Sequence, residues 1–153
     1  MPAFGLPAFV LPNIPPGKVV QIVSATTSTG VASSSATYAD TGLTATITPT
    51  SANNKVLVLA SQSGVTKSTS NTGCGIRLFR GASLIHQMEV TATSTGTTAD
   101  NFVGSVTIAA IDVPATVSAM VYKTTFNSSA GTGSVTVQSN SATSSLVLME
   151  VTP

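Results

Sequence analysis

The side chains that could support acid–base, nucleophilic or metal chemistry are few in this sequence. It has one cysteine, Cys74, one histidine, His86, and five carboxylates. A nucleophilic triad needs a thiol or hydroxyl, a base and an acid that converge, and on paper Cys74, His86 and an acid fill those roles. Cys74 stands between two glycines, however, and His86 alternates in phase with apolar residues. We therefore expect no enzyme, a structural cysteine, and a histidine packed in a core or interface.

No sequence motif indicates a cofactor. The Gly-x-Gly segments at residues 73–75 and 131–133 do not precede a helix whose N-terminus could hold an anion, so both are predicted turns. Asp40, Asp100 and Asp112 lie beside turn signals, where aspartate commonly bonds to nearby backbone. We predict no cofactor and no metal, although a three-fold axis could bring three copies of His86 together.

Composition narrows the range of partners. Only 7% of residues are charged and 42% are hydrophobic, whereas about a quarter of an ordinary soluble domain is charged. The net charge of +1, with six Lys and Arg in all, is too small for binding a phosphate backbone, so no direct nucleic-acid partner is expected. No run reaches the ~20 apolar residues of a membrane-spanning helix, and the start lacks the features of a signal peptide. The sequence predicts a soluble protein that is not exported and has no membrane partner.

The sequence pattern predicts short β-strands as the elements that would position any functional site. Leu43, Ala45 and Ile47 alternate with threonines, which predicts a strand with one buried face. After a turn at residues 49–54, residues 56–60 form an unbroken apolar run. Such a strand is apolar on both faces, so its outer face needs cover beyond a single sandwich.

Similar double-faced segments occur at residues 19–23, 119–122 and 146–149. We interpret them as the intersubunit core of a homotrimer. The predicted interface residues are Val56, Val58, Tyr122, Leu146 and Leu148.

The rest of residues 18–153 adds strand signals separated by turns and no helical periodicity. The prediction is one all-β domain, a jelly-roll β-sandwich of about 8–10 antiparallel strands. Residues 62–75 and 91–100 are rich in Ser, Thr and Gly and are predicted loops. Tyr38 is predicted to lie with its ring inside the sandwich.

Residues 1–17 form an extended, proline-rich N-terminal arm with a repeated Pro-Ala-Phe motif. Five prolines exclude a helix interior or central strand, and at ~3.1 Å per residue the arm reaches about 50 Å. Its apolar residues predict contact with a partner surface, or else with the arm's own sandwich. The predicted capsid-contact residues are Phe4, Leu6, Phe9, Val10, Leu11 and Ile14.

Four motifs carry a resemblance to a known family. They are Tyr-x-Asp-Thr-Gly-Leu at residues 38–43, Thr-Pro-Thr-Ser at 48–51, Arg-Leu-x-Arg-Gly at 77–81 and Leu-Met-Glu-Val at 148–151. With their surroundings they resemble a recurrent module of tailed-bacteriophage virion proteins, similar to trimeric jelly rolls of the tumour-necrosis-factor and C1q type. That resemblance implies a virion protein of the head decoration or tail-fibre kind.

Because the arm is short and begins at Met1, we expect a homotrimeric head cement protein. It would be made in the host cytoplasm and would sit on the capsid surface, with the major capsid protein as partner. The alternative is a short tail fibre or adhesin that binds a host surface receptor through loops 62–75 and 91–100. A secreted cytokine-like trimer is disfavoured because no signal peptide is evident.

Overall fold

The computed structural model describes residues 16–153. The capsid-contact residues predicted in the arm lie outside this range. The described chain contains ten β-strands and one short 3-10 turn at Ser139–Ser141. The strands are β1 (Val19–Thr27), β2 (Val31–Ser33), β3 (Ala39–Ile47), β4 (Lys55–Ser68), β5 (Thr72–Arg80), β6 (Ser83–Thr95), β7 (Asp100–Asp112), β8 (Met120–Ser128), β9 (Val135–Val137) and β10 (Ser144–Val151).

Two antiparallel sheets form a sandwich. Sheet 1 has the order β1-β10-β4-β7, with β9 and β2 extending it beside the end of β4, and sheet 2 has the order β3-β8-β5-β6. The long strands pair as β1 with β10, β3 with β8, β4 with β7 and β5 with β6. The chain is therefore one long hairpin rolled over itself, which is the topology of a jelly roll. The predicted fold class is confirmed.

The interior holds two apolar clusters. The larger one lies between β3, β4, β8 and β10, and the smaller one surrounds Val65, Ile76 and Phe126. The predicted alternation of β3 is confirmed, since Leu43 and Ile47 are each only 1% exposed while the threonines between them face solvent.

A chain of buried polar side chains separates the two clusters. The hydroxyls of Thr41 and Thr124 lie 2.6 Å apart, and Thr124 Oγ1 donates to Gln62 Oε1 over 2.9 Å. Gln62 Nε2 and Gln138 Nε2 both bond Ser144 Oγ, at 2.9 and 3.1 Å. Because the chain runs from β3 and β8 across to β4 and β10, it ties the two sheets together at mid-height.

The predicted loop at residues 62–75 is wrong. Strand β4 continues to Ser68 and β5 begins at Thr72, so only residues 69–71 connect them. Polar residues continue the strand because their partners lie inside the sandwich, as at Gln62, which is 0% exposed. The predicted loop at 91–100 is also wrong, since β6 extends to Thr95 and β7 begins at Asp100, which leaves only residues 96–99 between them.

The predicted interface residues also need correction. All five are 0% exposed within the single chain and belong to its own apolar core: Val56, Val58, Tyr122, Leu146 and Leu148. Side chains alternate between the two faces of a strand, so one face of a double-faced strand fills the core of its own sandwich and only the other face can contact a neighbour. The outward residues of the same strands are those available to a partner.

Candidate interaction surface

The outer face of sheet 1 carries apolar side chains in register across four strands. One row across the sheet is Ile22, Met149, Leu57 and Ile111. The next row is Ser24, Val147, Leu59 and Ala109. We call these two rows the apolar face.

The apolar face is open to solvent in the single chain. Ile22 is 60% exposed, Ile111 66% and Leu59 36%. No side chain of its two rows is charged, and the row beyond consists of hydroxyls. Strand and residue spacings make these three rows roughly 400 Å² in extent. Only two of these rows are apolar, so the apolar face itself covers roughly 250 Å².

A second exposed apolar surface lies along the edge formed by β6 and β7. Phe102 is 64% exposed and Val103 45% on β7, while Val90 is 58% and Leu84 49% on β6. We call it the β6–β7 edge. Each strand pairs on one side only among the described residues, so this edge also presents unpaired backbone groups.

The outer face of sheet 2 is different in character. Lys123 Nζ lies 2.7 Å from Asp40 Oδ1, and Arg77 stacks on the Tyr38 ring at 3.8 Å. The ring of Tyr38 lies on this outer face and not inside the sandwich, which corrects the prediction for that residue. His86 is also exposed on β6, outside the core. The Lys123–Asp40 ion pair and Arg77 therefore lie away from the apolar face, whereas Lys55 is exposed on β4 beside it, two residues from Leu57.

Cys74 and His86 do not form a reactive pair. Cys74 is 0% exposed in the smaller apolar cluster, and burial raises the pKa of its thiol to about 12. A thiol that stays protonated is neither a nucleophile nor a metal ligand. In the described part of the chain, no group of three or more His, Cys, Asp or Glu side chains could hold a metal ion.

Two carboxylates have structural partners that the sequence did not reveal. Asp112 Oδ2 accepts hydrogen bonds of 2.6 Å from both Arg80 Nη1 and Tyr122 OH, so it joins β7 of sheet 1 to β5 and β8 of sheet 2. Burial and the bond to Asp112 together raise the pKa of Tyr122 well above its ordinary value. The expectation that Asp112 serves a local turn is therefore wrong.

The second is Glu150, which is 0% exposed at the end of β10. It accepts hydrogen bonds from Gln21 Nε2, Asn54 Nδ2 and both the backbone N–H and hydroxyl of Thr50, all between 2.6 and 2.8 Å. Burial alone would raise the pKa of this carboxyl, but these bonds outweigh burial and hold the pKa below its ordinary value. Glu150 thus fastens the β3–β4 turn to β10.

Residues 16–153 include no helix long and apolar enough to cross a membrane. No protein-family model matches the sequence, and no curated protein matches it.

Two of the solved structures similar to the chain are particles of infectious bursal disease virus. T=1 particles derived from infectious bursal virus match with a TM-score of 0.46 and 14% identity, over 100% of this chain and 41% of that chain. The VP2 subviral particle of infectious bursal disease virus matches with a TM-score of 0.44 and 13% identity, over 100% and 42%. The chain thus spans less than half the length of these viral chains. Similarity at this level supports no conclusion about function.

Proposed function

We propose that the chain is a structural virion protein, a homotrimeric cement or decoration protein that binds the outside of a bacteriophage capsid. The observation that carries this proposal is the apolar face, an uncharged and ordered surface of Ile22, Leu57, Leu59, Ile111 and their neighbours. Such a surface is typical of a building block that packs against copies of itself. The bacteriophage assignment comes from the four sequence motifs described above.

Copies would join through two different surfaces. The apolar face, at roughly 250 Å², is much smaller than the ~800 Å² per partner of a standard interface. Contact between the apolar face of one copy and the β6–β7 edge of the next adds the exposed Phe102 and Val103. A contact between unlike surfaces closes a ring when its rotation is 120°, which gives a trimer.

The arm, residues 1–17, would then contact the major capsid protein. The arm is apolar and cannot pair as a central strand, because its prolines lack N–H donors. Burying several of its large side chains at ~1.5–3 kcal/mol each would hold the trimer on the shell. The work of the protein in this proposal is mechanical reinforcement of that shell.

Oligomeric state is the first test. Native mass spectrometry of the full-length protein should show a trimer, and the double variant Leu59→Lys with Ile111→Lys should be a folded monomer. Thr46→Lys is the matched control, because Thr46 is exposed on the outer face of sheet 2, and it should remain trimeric. A wild-type monomer at ~100 µM, or a trimeric double variant, would contradict the proposed interface.

Capsid binding is the second test. Deletion of residues 1–15 should leave the trimer intact and abolish co-sedimentation with purified capsids of the encoding virus. Quantifying the protein in purified virions should give hundreds of copies. A few copies per particle, with host-cell binding retained by the truncated trimer, would support the tail-fibre or adhesin alternative instead.

A further inference from the structure

A shallow groove of about 220 Å³ lies on the outer face of sheet 2, on the side of the sandwich opposite the apolar face. Strands β3, β8 and β5 form its floor, and the β5–β6 turn closes one end. Tyr38, Asp40, Phe79, Lys123 and Thr125 line it. That turn consists of Gly81 and Ala82, which also line the groove and carry no large side chain.

Contacts with Arg77 and Gln87 fix the position of the Tyr38 ring. The Arg77 guanidinium carbon lies 3.8 Å from the ring centroid, and Arg77 Nε donates to Gln87 Oε1 over 2.6 Å. Gln87 Nε2 in turn donates to Tyr38 OH over 3.3 Å. Gly75 makes room for that hydroxyl, since a Cβ there would lie 2.7 Å from it. A ring fixed before binding loses little conformational entropy when a ligand packs on it.

The polar groups of the groove offer a donor and an acceptor side by side. Lys123 Nζ and Asp40 Oδ1 are 2.7 Å apart, with side chains 33% and 61% exposed. An exposed ion pair contributes little to stability, so the fold does not depend on it. Thr125 is 5% exposed, and its Oγ1 has no hydrogen-bond partner among the described residues. Buried polar atoms without a partner are rare.

We propose that this groove binds a neutral sugar ring. A pyranose has an apolar C–H face that packs on aromatic rings, here Tyr38 and Phe79. Its hydroxyls both donate and accept, and they match the carboxylate of Asp40 and the ammonium of Lys123. An anionic ligand fits less well, because Asp40 cancels the charge of Lys123. The groove is formed by one chain, so the site depends neither on the trimer nor on a virion role.

Saturation-transfer NMR on the full-length protein tests the proposal. The probes are the methyl glycosides of glucose, galactose, mannose and N-acetylglucosamine at millimolar concentration. We expect transfer to at least one of them. The double variant Asp40→Asn with Lys123→Met, and separately Phe79→Leu, should weaken its Kd at least tenfold. Thr46→Ala, on the same outer face but outside the groove, should leave the Kd unchanged.

Far-UV circular dichroism would show that each variant is folded, which is expected because the substituted polar groups are exposed. Absence of transfer to all four glycosides would overturn the proposal. An unchanged Kd in the double variant and in Phe79→Leu would also overturn it, since the sugar would then bind elsewhere.

Discussion

At the scale of single residues, burial decides the chemistry of Cys74. Its glycine neighbours suggested a turn, but the side chain lies in the smaller apolar cluster with its thiol pKa raised to about 12. We predict that Ellman's reagent at pH 8 will not modify the native protein within an hour and will modify it at once in 6 M guanidinium. Rapid reaction of the native thiol would contradict the burial of Cys74.

Glu150 should make stability depend on pH. Its pKa lies below the ordinary value of 4.5 in the folded chain, so its stabilisation is complete above that pH and is lost as pH falls through the lower folded value. Glu150→Gln should lower the free energy of unfolding by about 1–3 kcal/mol at pH 7, as measured by urea titration. The difference from wild type should shrink near pH 3.

Glu89→Gln is the matched control for that experiment. Glu89 is exposed, and within residues 16–153 its carboxylate accepts hydrogen bonds only from the neighbouring backbone N–H groups of Val90 and Thr91. Its substitution should therefore change stability by less than about 0.5 kcal/mol. Equal effects of the two substitutions at pH 7 would show that the buried hydrogen bonds of Glu150 add no more to the free energy of unfolding than the exposed ones of Glu89.

Buried polar residues could not be predicted from the sequence. Gln62 and Glu150 are polar, and polarity in a single sequence indicates solvent. Their partners are far along the chain, as with Gln62 and Ser144 or Glu150 and Thr50. Only the fold brings those partners within hydrogen-bonding distance, so no local pattern could predict their burial.

At the scale of elements, the pairing of β4 with β7 shifts register between Ser63 and Val65, and this bulge depends on a glycine. Gly64 has φ +62, and a Cβ there would lie 2.5 Å from Ser139 N and 2.8 Å from Ser139 O. Backbone atoms cannot move aside as a flexible side chain can. The backbone at the bulge therefore packs directly against the 3-10 turn at Ser139–Ser141, and no side-chain atom fits between them.

We predict that Gly64→Ala will destabilise the protein much more than Gly42→Ala. Gly42 also has positive φ, at +83, but nothing lies within 4 Å of its Cβ position. Gly42→Ala should therefore cost only backbone strain, about 1–2 kcal/mol. Gly64→Ala should add an overpacking cost of about 1–3 kcal/mol. Thermal unfolding of both variants measures the difference, and equal melting temperatures would contradict the packing described here.

Strand alternation was the most reliable guide to these elements. The pattern of Leu43, Ala45 and Ile47 predicted both β3 and its buried face. In double-faced strands the same pattern did not show which face points into the sandwich, because Val56 and Leu57 are equally apolar. A shift of one residue exchanges the faces, and this is why the predicted interface residues proved to be core residues.

At the scale of the whole molecule, the two sheets present different surfaces. Sheet 1 exposes uncharged apolar rows, and sheet 2 exposes the ion pair, the stacked Arg77 and the groove. The double-faced segments predicted from the sequence did not show this asymmetry, because three of them lie in sheet 1 but residues 119–122 lie at β8 in sheet 2. The charged residues did not show it either, since only the strand order reveals which of them share the outer face of sheet 2.

If the trimer joins unlike surfaces, complementation should reveal it. Phe102→Lys on the β6–β7 edge and the double variant Leu59→Lys with Ile111→Lys on the apolar face should each be monomeric alone. Mixed together, each retains the surface that the other lacks, so native mass spectrometry should show a heterodimer and no trimer. A mixture that stays monomeric would contradict a contact between these two surfaces.

Among the described residues, strand β1 pairs only with β10, so it forms an edge of sheet 1, and it begins just after the arm. Its ladder to β10 runs from Val19 opposite Val151 to Thr27 opposite Ser144, and Lys18 continues it to Thr152. Tension applied through residue 16 along the strand axis would shear all the interstrand hydrogen bonds between β1 and β10 at the same time. Tension applied across the sheet would instead break these hydrogen bonds one after another. The force that such an anchorage withstands is therefore set by the direction of the pull.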